Sequence, residues 1–349
     1  MKFDPNIAAD RILSIPESYP GMLFSSPTDA KDEYRLLAKI WHPDRNPDPK
    51  ASDVLAKVNI LWSEAQRMIE ADSWTIPGEL LLESKVGQRF KLRYKLKRTI
   101  DVGTMYYGET VLAFVVDEKH SSLFDSAEKA ISSLKYADSK MREDVSRFVP
   151  KITKSFQQVD GSRVMVVPKT EDAFLLRDVV EQQGGKLDPK HAAWVTSRLM
   201  GLCCYMDWAG ISHNSMTLDT VFISPKYHTA LLLGGWWFSK PLGGDVKVVP
   251  KAIHSLLPSS VLKDKVASGK TDRLTARAIG REVAGDRTGL NLKKLGVPEP
   301  MADFLRHPLG SNPYDELRTW QKVLEKSFGP RKFTVLDIPK DRIYEKDAT

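Results

Sequence analysis

The sequence is poor in cysteine and lacks any long apolar run. Its only two cysteines, Cys203 and Cys204, are adjacent in a stretch of helical periodicity, where they make a poor bridge, so we expect a reduced, cytoplasmic protein. No run of about 18 apolar residues occurs, and the first residues carry no apolar signal core, so neither a membrane span nor secretion is predicted. Paired cysteine or carboxylate spacing suited to zinc is missing as well, so no metal site is expected.

The composition is that of an ordinary globular protein with enough residues for two domains. Hydrophobic residues make up 42% of the 349 positions and charged residues 28%. The net charge of +7 favours acidic partners in general but does not by itself indicate nucleic acid. Because internal repeats and low-complexity tracts are absent, the periodicity of apolar residues is the main guide to the fold.

Two stretches of helical periodicity near the N-terminus flank a proline-rich loop. The first runs from about residue 29 to 41, and its apolar stripe consists of Ala30, Tyr34, Leu37 and Trp41. The second runs from about residue 51 to 69. Two such helices joined by a short loop pack antiparallel, and upstream of them at most one short helical turn, near residues 20–24, is expected.

The loop carries His42, Pro43 and Asp44 at the end of the predicted hairpin. Pro43 ends the first helix and fixes φ between its two neighbours. Asp44 then offers an exposed anion to a cation of a partner, and His42 offers a hydrogen bond. A row of cations at positions i, i+4 and i+8 of the first helix would steer this loop toward an acidic surface, with fast, weak and salt-sensitive binding. The alternative is a solvated helix face and a pair of residues that merely terminates the helix.

The basic helix, the His-Pro-Asp tripeptide at its end, the Arg-Asn-Pro loop and the amphipathic helix after it resemble the J domain of DnaJ-type co-chaperones. In that family the tripeptide and the cations dock on a DnaK-type chaperone and trigger its ATP hydrolysis. The resemblance implies seven partner-binding residues, the last of them a weaker addition: His42, Pro43, Asp44, Lys31, Arg35, Lys39 and Arg45. One departure concerns the first helix of the family, whose usual start is replaced here by Tyr19–Phe24.

Beyond a linker predicted over residues 74–87, strand signals come first and helix signals follow. Residues 90–98 alternate apolar and basic side chains, as in a half-buried strand. The other predicted elements are strands over 110–116, 164–167, 221–223 and 229–233, and helices over 122–141, 189–208 and beyond residue 250. This order predicts an α+β domain with two lobes.

The order of these elements over residues 88–338 resembles a protein-kinase fold. His213 opens a segment similar to the catalytic loop, and residues 231–237 follow where a metal-binding segment is expected. Asp272 begins a stretch like the large helix of the second lobe. Residues 103–108 stand at the glycine-rich turn, with tyrosines that would crowd a phosphate.

At the positions that match the kinase motifs, the side chains that phosphoryl transfer requires are replaced by others. The reaction needs a carboxylate base or positioning group, two metal ligands and a lysine on the phosphates. The corresponding degenerate positions are Ser215, Thr220, Gly234 or Gly235, and Phe114, together with His213 and the helix glutamate Glu128. Without a lysine partner, Glu128 is expected to face solvent. We therefore predict a pseudokinase that uses no cofactor.

The predicted fold is an all-α helical hairpin, the J domain of residues 10–73, followed by the α+β two-lobed kinase-like domain of residues 88–338 and a tail over residues 339–349. The first hypothesis is a co-chaperone that recruits a DnaK-type ATPase to a protein client held by the pseudokinase, with neither membrane nor nucleic acid as a partner. A second is an atypical nucleotide-binding or phosphotransferase domain with an attached J domain. A third is a structural or assembly factor with a vestigial J domain.

Overall fold

The computed structural model describes residues 3–338 and 343–344. Contacts divide the chain between Lys95 and Leu96 into two compact parts, called the first unit and the second unit below. Of the tail predicted over residues 339–349, only Ile343 and Tyr344 lie within the described residues. Among the described residues, no helix combines the length and the apolar character needed to cross a membrane.

Three helices and a strand hairpin form the first unit. They are α1 (Ala9–Ser14), α2 (Ala30–Ile40), α3 (Ala51–Glu70), β1 (Glu79–Glu83) and β2 (Arg89–Arg93), with a turn of 3-10 helix at Pro20–Met22. The core between the helices includes Ile12, Phe24, Leu37, Val58 and Leu61, each with 0% of its surface exposed. The two longer helices therefore pack through the apolar stripes predicted from the sequence.

Helix α1 was not predicted, because a helix of six residues is too short to show an apolar repeat. Its single fully buried side chain, Ile12, packs into the core of the first unit. An ion pair of 2.6 Å between Asp10 and Lys50 also connects α1 to the start of α3.

The predicted linker and the predicted strand over residues 90–98 both differ from the structure. Within residues 74–87, β1 forms and pairs antiparallel with β2, with Leu81 opposite Lys91. The strand over 90–98 is in fact two strands, because the chain leaves β2 at Arg93 and starts a strand of another sheet at Leu96. Alternation of apolar and basic residues continues across this break, so periodicity alone could not reveal it.

A five-stranded antiparallel sheet opens the second unit. Its strands are β3 (Leu96–Ile100), β4 (Gly103–Tyr107), β5 (Val111–Val116), β6 (Lys154–Gln157) and β7 (Arg163–Pro168), in the spatial order β3-β4-β5-β7-β6. Residues 103–107, predicted as a glycine-rich turn, are thus a strand, and the turn before them is formed by Asp101 and Val102. Gly103 fits there because its φ is +155° and a Cβ would come within 2.1 Å of the Val115 carbonyl oxygen.

Helices and short strands complete the second unit. In chain order they are α4 (Ser121–Ser132), α5 (Ser139–Val145), β8 (Phe174–Leu175), α6 (Leu176–Gln182), α7 (Pro189–Ala209), β9 (Ile211–Ser212), β10 (Val221–Ser224), β11 (Thr229–Leu232), β12 (Lys240–Pro241), α8 (Ser259–Asp264), α9 (Gly269–Val283), α10 (Glu299–Arg306) and α11 (Pro313–Phe328). The helix predicted over residues 122–141 is divided into α4 and α5. Strands β10 and β11 pair antiparallel, with Phe222 opposite Leu231. A single large core extends from the sheet into the helices.

Candidate functional site: an exposed loop and a filled cleft

The loop between α2 and α3 is held in shape by its own hydrogen bonds. The carbonyl of His42 accepts hydrogen bonds from the amides of Arg45 and Asn46, both at 2.9 Å. The side-chain amide of Asn46 donates to the carbonyl of Ile40 at 3.1 Å, which satisfies one of the last carbonyls of α2. Trp41, 8% exposed, anchors the loop in the core. The loop is therefore a defined turn on a rigid base.

His42, Pro43 and Asp44, called the tip below, are all exposed. The side chain of Asp44 is 84% exposed and that of His42 is 48% exposed. The amide of Asp44 donates to Nδ1 of His42 at 3.2 Å, so this ring nitrogen is an acceptor, and the nearer carboxylate oxygen of Asp44 lies 3.7 Å from it. No lysine or arginine among the described residues is paired with Asp44, so its charge is open to solvent.

The cations predicted beside the tip lie on an open face of α2. Lys31, Arg35, Lys39 and Arg45 are all exposed. Arg35 forms an ion pair of 3.1 Å with Asp32, one turn away, and such an exposed pair is weak. Because the buried stripe of α2 faces the core, Lys31, Arg35 and Lys39 lie on the outward side of the helix. Arg45 and the tip lie in the turn that follows it.

The second unit holds its catalytic-loop counterpart through a buried carboxylate. Asp272, 1% exposed and in the first turn of α9, accepts hydrogen bonds from the amides of His213 and Asn214, both at 2.9 Å. Burial raises the pKa of Asp272 to about 6, although these two hydrogen bonds oppose the rise. Asp272, which was predicted to begin a large helix, thus positions the loop that begins at His213.

His213 is a structural residue in this arrangement. Its side chain is completely buried, and Nε2 lies 3.0 Å from the carbonyl oxygen of Gly234. The ring packs edge-on against Trp236, with centroids 5.0 Å apart. Burial lowers the pKa of His213 to about 3, so the imidazole is neutral and donates its Nε2 proton to Gly234.

No carboxylate stands where Ser215, Thr220 and Gly235 meet. Ser215 is 2% exposed, and its carbonyl accepts a hydrogen bond of 2.8 Å from the hydroxyl of Thr220. Gly235 has φ +79°, and a Cβ there would come within 2.7 Å of the Ser215 hydroxyl and 2.9 Å of a Thr220 methyl. The amide of Gly234 donates to the carbonyl of Thr220 at 3.1 Å. The loop is thus closed by hydrogen bonds between its own residues and Gly234.

Phe114, predicted to stand at the position of the phosphate-binding lysine, takes part in aromatic packing. Phe114 on β5 is 2% exposed and contacts Trp237 edge-on, with centroids 5.4 Å apart. Trp237 also stacks with Phe124 of α4 at 6.2 Å. These three rings join the sheet, α4 and the segment after Gly235 in one hydrophobic contact.

Glu128 was predicted to face solvent without a partner; its side chain is 30% exposed, but its carboxylate is paired. Its carboxylate pairs with Arg163 of β7 at 3.2 Å and accepts a hydrogen bond from Ser155 of β6. Arg163 also lies over the ring of Phe124 at 4.3 Å. An arginine on β7, the strand next to β5, pairs with Glu128 in place of a lysine, and sequence order gave no signal of that contact.

The other end of the cleft, the space between the five-stranded sheet and the helices, is filled by tyrosines. Tyr107 of β4 is 1% exposed, lies 6.4 Å from the ring of Phe222 and 4.3 Å from that of Tyr344, and donates its hydroxyl proton to the carbonyl of Ala173. The hydroxyl of Tyr344 accepts from the amide of Leu175 at 3.1 Å. Burial raises the pKa of both tyrosines, so their hydroxyls remain protonated.

An ion-pair group spans the same cleft. Arg98 of β3 pairs with Asp178 of α6 at 2.5 Å and lies 3.7 Å from Asp219 of the loop before β10. Arg177 also binds Asp219, at 2.7 Å. Asp219, an acid within the predicted catalytic-loop segment, is therefore engaged with two guanidinium groups.

Comparison with solved structures identifies the fold of the second unit. The chain is similar to the structure of vaccinia related kinase 3, with a TM-score of 0.50 and 16% sequence identity, covering 72% of this chain and 93% of that chain. No protein-family model matches the chain, and no curated protein sequence does. The chain thus has an N-terminal helical region followed by a two-lobed protein kinase-like fold.

Proposed function

We propose that the first unit is a J domain that docks on a DnaK-type chaperone and stimulates its ATPase. The observation that carries this proposal is the tip: an open carboxylate at Asp44, held by a rigid turn at the end of a helix whose exposed face bears Lys31, Arg35 and Lys39. A fixed anion beside a row of cations suits a partner with both an acidic surface and one available cation.

The kinase-like unit acts in this proposal as a binding module without phosphoryl transfer. Support comes from Ser215, Thr220 and Gly234, which provide neither a base nor a metal-binding carboxylate, and from Phe114 in place of the lysine. Buried aromatic rings pack between the sheet and the helices, and the nearby Asp219 is paired with arginines. The unit would hold a protein client, and the ATPase active site would belong to the chaperone.

The docking proposal is tested by single-turnover ATP hydrolysis of a DnaK-type chaperone with the full chain added. Asp44→Asn keeps the size and shape of the tip but removes its charge. We expect stimulation to fall by about tenfold or more, which corresponds to about 1.4 kcal/mol. The matched control is Asp53→Asn, an exposed acid on the first turn of α3, which should stimulate like the wild type. Equal stimulation by wild type and Asp44→Asn, or none by either, contradicts the proposal.

The absence of phosphoryl transfer is tested separately by titrating the full chain with Mg-ATP in a calorimeter and by incubation with radiolabelled ATP. We expect neither heat of binding nor autophosphorylation. Magnesium-dependent binding together with label transfer would instead support the atypical phosphotransferase.

A further inference from the structure

The net charge of the chain is carried by the second unit. Residues 1–95 contain 14 basic and 14 acidic residues, so the whole net charge of +7 belongs to residues 96–349. Within that part, residues 240–270, called the basic segment below, hold six lysines against two aspartates, a net charge of +4. More than half of the net charge is therefore concentrated in one short stretch.

The basic segment has a small core of its own, separate from the main core of the second unit. This core consists of Val246, Ile253, Leu257, Val261 and Ala267. The amide of Val246 donates to the carbonyl of Lys265 at 2.7 Å, and Asp245 pairs with Val266 in an isolated β-bridge. These contacts close the segment, so that the residues after Val246 lie beside those around Lys265.

The outer face of this closed segment combines lysines with aliphatic side chains. Val248 is 53% exposed, Leu262 48% and Val266 37%. The exposed lysines beside them are Lys247, Lys251, Lys263 and Lys265. Among the described residues, no carboxylate forms an ion pair with any of these four lysines. The face therefore exposes both apolar surface and uncompensated positive charge.

We propose that this face binds an acidic polypeptide segment that carries aliphatic side chains. Its glutamates or aspartates would pair with the lysines, and its leucines or valines would cover Val248, Leu262 and Val266. Charge complementarity would raise the association rate and the aliphatic contact would add affinity, as expected for a weak, transient interface. The proposal deepens the proposed function, on which it rests, by assigning a surface and a partner class to the kinase-like unit.

The chemistry of the face favours protein over nucleic acid or membrane. Residues 245–267 contain neither arginine nor an aromatic residue, whereas phosphate recognition favours the guanidinium fork and single strands stack on aromatic rings. The one α-helix inside the segment, α8, has six residues, which is too short to lie along a lipid surface as an amphipathic anchor.

The test is fluorescence anisotropy of the full chain with a short fluorescein-labelled peptide in which glutamate alternates with leucine and serine. Two matched peptides replace the leucines by serine or the glutamates by lysine. We expect the acidic-aliphatic peptide to bind best, the serine peptide several-fold more weakly and the lysine peptide not at all. Binding should weaken as salt is raised above about 0.1 M, because screening acts on exposed charges.

Variants of the chain locate the binding. The double substitution Lys247→Glu and Lys265→Glu should weaken peptide affinity by about tenfold or more, since it reverses charge at the face. The pair Val248→Ser and Leu262→Ser should weaken it by about threefold to tenfold without changing charge. A control of equal charge change, Lys190→Glu with Lys322→Glu on exposed positions of α7 and α11, should bind like the wild type. Circular dichroism verifies that each variant is folded.

Three outcomes would overturn the proposal: equal weakening by the control, insensitivity to the aliphatic substitutions, or tighter binding of polyuridylate or phosphatidylserine vesicles than of the peptide. The docking proposal for the first unit fails independently. Asp44→Asn should bind the peptide like the wild type, so lost ATPase stimulation with retained peptide binding implicates the tip alone.

Discussion

The tip of the first unit and the loop at His213 of the second unit place polar motifs in opposite surroundings. The side chain of Asp44 is 84% exposed, whereas His213 and Asn214 are completely buried and Ser215 is 2% exposed. An exposed carboxylate keeps its charge and can exchange water for a partner. Buried polar groups must instead satisfy one another, because leaving one without a partner costs about 1–3 kcal/mol.

This difference separates residues whose side chains are open to solvent from residues that hold the fold together. Around His213, the polar groups of the loop bond to Asp272, to Gly234, to Phe238 and to one another. At the tip, internal hydrogen bonds fix the backbone and leave the Asp44 carboxylate open. The following substitutions test that contrast through the free energy of unfolding.

The largest loss of stability is expected from Glu316→Ala in α11. Glu316 is 3% exposed and pairs with Arg273 at 2.8 Å and with Arg277. Removing the anion leaves two buried guanidinium groups uncompensated, which should cost about 3–5 kcal/mol in urea unfolding. Glu325→Ala, an exposed site on the same helix, should cost less than about 0.5 kcal/mol. If the two variants unfold alike, the second unit does not depend on its buried charges.

Tyr344→Ala should destabilise the second unit somewhat less than Glu316→Ala. It removes a ring that is 8% exposed and packs against Tyr107 and Phe174, so we expect a loss of about 2–4 kcal/mol in thermal or urea unfolding. Tyr344→Phe keeps the ring and loses only the hydroxyl, with its hydrogen bonds to Leu175 and Asp178, so we expect a smaller loss of about 1–2 kcal/mol. Neither variant should bind Mg-ATP. Nucleotide binding by Tyr344→Ala would show that the cleft is only plugged and otherwise competent.

The substitution His213→Gln should change the free energy of unfolding by a smaller amount, and this change should depend on pH. The folded protein keeps His213 neutral down to a pKa of about 3, whereas the unfolded chain takes up a proton as pH falls through about 6.5, so the folded state loses stability below 6.5. At pH 5 this loss is about 2 kcal/mol relative to neutral pH.

In the wild type, protonation of Asp272 opposes the loss of stability that His213 causes on acidification. Its folded pKa is raised to about 6, so the folded state binds a proton first and gains stability as pH falls from 6 toward 4. The measured quantity is therefore the difference between wild type and His213→Gln at each pH. If the difference in unfolding free energy between the two proteins does not shrink on acidification, His213 is not a neutral, buried residue. His254→Gln, at an exposed position, serves as the control.

The smallest effect on stability is expected at the tip itself. Asp44→Asn should change the free energy of unfolding by less than about 0.5 kcal/mol, because the side chain has no strong partner in the fold. Trp41→Ala, three residues earlier but 8% exposed, should cost about 3–5 kcal/mol. Strong destabilisation by Asp44→Asn would mean that the tip contributes to the stability of the fold. The tip would then not differ in this respect from the buried loop at His213.

Much of the fold was predictable where one face of a helix or strand is buried and the other is exposed to solvent. The bounds of α2 and α3 agree with the periodicity within one residue, and β5 and α7 were also predicted. Prediction failed where local pattern carries no information. Helix α1 is too short for a repeat, and the break between β2 and β3 interrupts no alternation.

The candidate residues divide in the same way. The correspondence of Ser215, Thr220 and Gly234 to kinase positions stays a prediction from their order in the chain. Glu128 could not be placed, because its partners Arg163 and Ser155 come from strands β7 and β6, far along the chain. Tyr344 gave no signal either, since its contacts with Tyr107 and Leu175 are separated from it by more than 160 residues.

By itself, the sequence determined the two amphipathic helices and the exposed loop between them, because these depend on short spacings and residue types. Only the tertiary structure decided that the cleft is filled and that Glu128, Asp219 and Asp272 are engaged within the fold. The physical reason is that burial and pairing depend on atoms brought together by folding. A carboxylate at Asp44 and one at Asp272 are the same in sequence, and their surroundings make one available to a partner and the other a support for the chain.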